Sequence, residues 1–164
     1  MAKKIFKVIL KLLILILVYI LQIYVINNTT FFGVNGDLCL MAVVLITLMD
    51  KNYVAYITAG VCGIISDILF STTICKYLVI YILVVSILIG LKKMYKQDSK
   101  MAIIIFSVFG VVISELLMLV FNIVSGMGFV NIFTLILMIV KQCIINICFA
   151  FLLYLVLRLC IQEG

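Results

Sequence analysis

The chain has 164 residues, 68% of them hydrophobic and only 11% charged, with a net charge of +6. A soluble domain of that size cannot hide so much apolar surface, so the composition excludes an ordinary water-soluble fold and reads as membrane-spanning. Histidine, tryptophan and proline are absent, which removes histidine metal ligation and acid–base chemistry, and removes proline as the cause of any broken helix.

Lys3, Lys4, Lys7 and Lys11 lead into an apolar run that reaches Ile26. No small-x-small cleavage pattern closes the run, and its length suits a membrane span better than a secretion signal, so 5–26 is read as a retained first helix. Further spans are expected at 37–49, 53–72, 77–91, 101–124 and 131–157. The second has only ~13 residues, short of the roughly 20 that cross a bilayer straight. Two arrangements of the second and third spans stay open: two full crossings, or a re-entrant hairpin. The expected fold is an all-α integral membrane protein, a compact bundle of about six transmembrane helices forming a single domain over 1–164.

With an even number of crossings, the amino-terminal lysines, Lys51, the Lys92, Lys93, Lys96 and Lys100 cluster, and Arg158 fall on one side. The other side carries only Lys76, so the positive-inside rule places both termini in the cytoplasm. The lysines then face anionic lipid of the bilayer, and no basic recognition element suggests nucleic acid. The outer connections, such as 27–30 and 125–128, are short, polar and uncharged.

Polar groups inside the spans are the candidate functional residues. Asp37 reads as a helix N-cap at the outer interface, favoured by the helix dipole. Ala55, Ala59, Gly63, Asp67 and Ser71 recur every four residues and share one helix face. Small residues at that spacing let a second helix approach closely, so the row is expected to be a partner-binding face, with packing inside the bundle as the other use. Asp67, near the outer end of its span, has two prospective neighbours, interfacial water and Lys76. Glu115 and Lys141 lie at matched depth, about 14 Å below the outer boundary, and are expected to pair. With Asn122, Gln142 and Asn146 they either fix helix packing or line a polar pocket or proton path. The cysteines at 39, 62, 75, 143, 148 and 160 contain no C-x-x-C and are read as small hydrophobes. No catalytic constellation or nucleotide-binding loop occurs, so no enzyme, metal or cofactor is expected.

Gly36-Asp37-Leu38, the apolar helix after it, a short basic turn, then Gly60-x-x-Gly63-x-x-x-Asp67 and Ser71 together resemble the rod shape-determining protein MreD family. The lysine-led first helix, the length and the six-helix profile are similar too, so the likeness covers nearly the whole chain. Gly36 stands where a proline often precedes the aspartate in that family, and the Thr73–Lys76 region replaces a glycine common after the aspartate helix. The resemblance implies a non-enzymatic scaffold of the elongation machinery in the bacterial plasma membrane. It would bind an MreC-like membrane protein and, indirectly, MreB, RodA and a class B penicillin-binding protein, positioning peptidoglycan synthesis and maintaining rod cell shape.

The family is also similar in fold to the substrate-binding S component of energy-coupling-factor vitamin transporters, which implies an outward-facing cavity. An S component is therefore the alternative function, with Asp67, Glu115, Lys141 and Asn122 lining a solute pocket. That class usually carries an Ala-x-x-x-Ala docking pattern in its first helix, where this chain has bulky Leu, Ile, Val and Tyr. A third reading, an ion or proton channel subunit, rests on the buried charges alone.

Overall fold

The structure is a computed structural model that describes residues 14–26, 36–70, 75–93, 100–126 and 131–162. Among them the chain is all helical. The first helix, α1, is described over Ile14–Tyr24 and passes into a π-helical turn at Gln22–Ile26. It is followed by α2 (Leu38–Met49), α3 (Asn52–Phe70), α4 (Lys76–Lys92), α5 (Lys100–Val124) and α6 (Ile132–Gln162). These bounds lie within a few residues of the expected spans wherever those are described. Three stretches, Asn52–Leu69, Met101–Val124 and Phe133–Arg158, are long and apolar enough to cross a membrane.

The short helix α2 is the axis of the fold. Its sequence, LCLMAVVLITLM, has no polar face, and every residue from Leu38 to Leu48 is buried. A helix that is hydrophobic all round is stable only when it is covered on all sides. Here α3, α4, α5 and α6 all pack on it. The surrounding helices are two-sided. On α4 the buried set is Ile80, Tyr81, Val84, Val85 and Leu88. On α5, Ala102, Ile103, Phe106, Ser107 and Val111 turn inward at the same spacing, the stripe expected of a helix with one buried side. Their outward faces are apolar as well, with Ile57, Ile68, Phe133 and Leu152 each more than half exposed. Such a surface suits lipid and would be a liability in water.

The closest helix pair is α3 with α4. Asp67 lies against Tyr77, Gly63 against Leu78, and the Tyr56 hydroxyl reaches Ser86 Oγ at 3.2 Å, so the two run antiparallel. Ala55 and Ala59 are fully buried. A Cβ built on Gly63 would sit 2.5 Å from the Leu78 Cα, so the backbones meet where only glycine fits. This corrects the expectation of a partner-binding face. Within the row, Gly63 and Asp67 meet α4 of the same chain, and Ala55 and Ala59 are buried inside the bundle, so the face is spent on packing within the chain. Ser71, the last of the row, lies outside the described residues.

At its carboxyl end α2 is closed by Lys92, whose Nζ donates to the Thr47 carbonyl at 2.8 Å and to that of Asp50. A cation there satisfies carbonyls that the helix leaves unpaired and opposes the negative end of its dipole. Desolvation lowers the Lys92 ammonium below the usual lysine range, with Asp50 opposing the shift. Lys51, Lys92 and Lys93 line a groove of about 890 Å³ at this end of the bundle.

Candidate functional site

The other end of α2 is held by polar side chains from three helices. Asp37 is its N-cap, with Oδ1 accepting the Leu40 N–H at 2.9 Å. Gln22 of α1 accepts the Leu38 N–H at 2.8 Å and donates to the Gly36 carbonyl at 3.1 Å. Asn146 of α6 accepts the Asp37 N–H at 2.9 Å. The Tyr81 hydroxyl of α4 donates to Asp37 Oδ2 at 3.1 Å. Three of these bonds take up the N–H groups of Asp37, Leu38 and Leu40, which the start of a helix leaves without a backbone partner. Gly36 allows the approach, since a Cβ there would collide with the Phe149 ring.

Behind these bonds lies a cavity of about 410 Å³. Gln22 and Asp37 form one wall, with Cys39 and Ser66 beside them. Tyr77 and Tyr81 form another, their rings packed edge to face with centroids 6.0 Å apart. Glu115, Met118 and Gln142 complete the lining. Beside the cavity the Tyr19 hydroxyl donates to the Cys62 carbonyl and lies 3.3 Å from Ser66 Oγ. Asn146 Nδ2 and Ser107 Oγ are buried with no hydrogen-bond partner among the described residues. Among the described residues no three of the cysteines and carboxylates gather as metal ligands would.

The expected site residues are distributed as follows. Glu115 and Gln142 meet at the cavity, and Gln142 is the side chain within hydrogen-bonding reach of the carboxylate. The expected partner of Glu115, Lys141, does not line the cavity. Successive residues of a helix point about 100° apart, so adjacent Lys141 and Gln142 present different sides of α6, and Gln142 is the one in the lining. Asn146 joins the α2 cap. Asn122 accepts from Lys76 Nζ at 3.0 Å, tying the start of α4 to the end of α5.

Asp67 takes a different part from either one expected of it. Its two oxygens accept the N–H groups of Tyr77 at 2.7 Å and Leu78 at 3.0 Å. It caps α4 from a neighbouring helix, where the residue in the cap position, Cys75, has a left-handed φ of 65° and makes no side-chain bond. Asp37 is the N-cap that its sequence position suggested, and it is also a wall of the cavity. Gln22, Ser66, Tyr77 and Tyr81 were not singled out in the sequence. Gln22 carried a usable signal, a polar amide within an apolar run; the tyrosines carried none, because their rings pass for core residues.

Comparison of the chain with protein-family models, with curated proteins and with solved structures gives no match in any of the three.

Proposed function

We propose that the chain is a non-enzymatic membrane scaffold of the bacterial elongation machinery, of the kind the MreD family represents, and that it binds an MreC-like membrane protein. One observation supports this reading: the residues that carry the resemblance hold the bundle together. Asp37 caps the buried helix, and Gly63 and Asp67 lock α3 to α4. A motif spent on architecture suits a protein whose work is to present a rigid set of helix faces. The partner meets the bundle on faces other than the row already spent on packing within the chain.

In this reading the chain is multi-pass in the plasma membrane with both termini cytoplasmic. The gathering of Lys51, Lys92 and Lys93 at one end of the bundle supports that orientation. The test is purification of the tagged chain from bacterial membranes, with co-purification of an MreC-like protein and rounding of depleted rod-shaped cells as the expected results. Retained rod shape on depletion, with no such partner recovered, rejects the scaffold. A carboxy-terminal fluorescent fusion should glow and an alkaline phosphatase fusion there stay inactive, with the opposite after Asn28 or Gly126.

An S component is the second reading, favoured by the cavity alone. Its walls differ from the set expected for it: Glu115 is present, while Asp67, Asn122 and Lys141 are not among the lining residues. Recovery of a transporter's ATPase pair with the tagged chain would select it over the scaffold.

A further inference from the structure

We infer that the cavity at the amino end of α2 binds a small organic ammonium ion, held between the carboxylates of Asp37 and Glu115 and against the Tyr77–Tyr81 ring pair. The inference concerns the occupant of the cavity and depends on neither reading of the chain's assembly. A scaffold with a bound effector and a solute carrier would use the site alike.

Size is the first argument. A volume of about 410 Å³ is far more than one ordered water fills and lies in the range of small-molecule sites.

Charge is the second. The lining includes two carboxylates and, among the described residues, neither lysine nor arginine. The nearby Lys76 ammonium bonds to Asn122. Asp37 is compensated in part by the Leu40 N–H, the Tyr81 hydroxyl and the positive end of α2. Glu115 has the neutral Gln142 amide beside it in the cavity wall, and the Lys76 ammonium acts on it from outside that wall. The wall itself thus carries two carboxylates and no basic side chain among the described residues, a lining that suits a cation.

The third argument selects the kind of cation. Tyrosine rings and the Met118 thioether attract an ammonium group and accommodate a short hydrocarbon body. A dedicated site for a hard divalent ion gathers several oxygen ligands, and among the described residues no three of the cysteines and carboxylates come together to hold one. An ammonium group presents N–H donors, and the lining offers it acceptors in the carboxylate oxygens and the Gln142 amide oxygen.

The test uses the full chain purified in detergent and melted by far-ultraviolet circular dichroism. The probe is n-butylammonium chloride, with n-butanol as its neutral counterpart and sodium chloride at matched ionic strength. The expected result is a saturable rise in melting temperature with the amine alone. Glu115→Gln should weaken binding on the order of thirtyfold or more, by removal of a buried charge partner. Met118→Trp, which fills the cavity and leaves its charges intact, should abolish the response. Equal responses to amine and alcohol, or to amine and sodium, overturn the inference, as does an unaltered response in a folded variant. The wild-type comparison decides by itself where the variants fail to fold: no saturable amine response means that the carboxyls are held neutral and the site takes no ammonium ion.

Discussion

Gly63 meets Leu78 so closely that any side chain on the glycine would press on the Leu78 backbone, its Cβ 2.5 Å from the Cα. A side chain can rotate away from such a contact; a helix backbone cannot. Gly63→Ala is therefore expected to cost about 1–3 kcal/mol by overpacking, and Gly63→Leu to prevent accumulation of the folded chain. One turn earlier, a Cβ on Gly60 would have nothing within 4 Å. Gly60→Ala should be neutral or stabilise by up to about 1 kcal/mol through helix propensity. Melting temperatures of the two alanine variants separate these cases, and equal values would sink the packing account.

Asp67 serves α4 although it belongs to α3. Removing it as Asp67→Ala should cost about 1 kcal/mol, the usual worth of an N-cap, and somewhat more with two amides freed together. Asp67→Asn retains one acceptor oxygen and should fall between. The readout is hydrogen exchange at Tyr77 and Leu78, which accelerates only if those two amides lose their partner. Unchanged protection in Asp67→Ala would show that water or another group replaces the cap.

Gln22 supplies an acceptor and a donor to the backbone around Asp37. Gln22→Leu keeps the bulk and leaves the Leu38 N–H and the Gly36 carbonyl unpaired, at a cost of about 1–3 kcal/mol for each buried group. Gln22→Glu keeps the acceptor for Leu38 and should be milder only at acid pH, where its carboxyl is neutral and can donate to Gly36. Thermal melting across pH distinguishes this from a simple packing role, which would be insensitive to pH.

The double exchange Glu115→Lys with Lys141→Glu should recover nothing relative to the worse single variant. Gln142, one residue along α6, is the group that meets Glu115. Glu115→Gln should be tolerated, because an amide beside an amide forms a neutral hydrogen bond. Recovery of folded yield by the double exchange would restore the ion pair.

Helix positions were legible because apolar runs bounded by lysines, glycines and polar turns mark spans directly. Asp37 was readable as a cap from its place before an apolar run. The row from Ala55 to Asp67 was readable as a packing face, with a partner and the bundle itself both open as its cover, since spacing tells which side of a helix is small and not what will cover it. Glu115 and Lys141 illustrate the complementary gap. Rise per residue gives depth, whereas contact also needs azimuth, and a single step along α6 changes that by about 100°. The cavity was hidden for a third reason: its walls come from six helices, and each contributes residues that alone look like ordinary core or cap positions.

The complete enclosure of α2 frees it from the thickness of the bilayer. At 1.5 Å per residue a 12-residue helix measures about 18 Å, against a hydrocarbon core of about 30 Å. Exposed to lipid, such a helix would force thinning or tilt, at a cost for every ångström of mismatch. Sheathed by its neighbours, it stops where Asp37 and Lys92 end it, and a change of acyl-chain length strains the outer helices while the axis keeps its register. The polar cavity lies at its amino end.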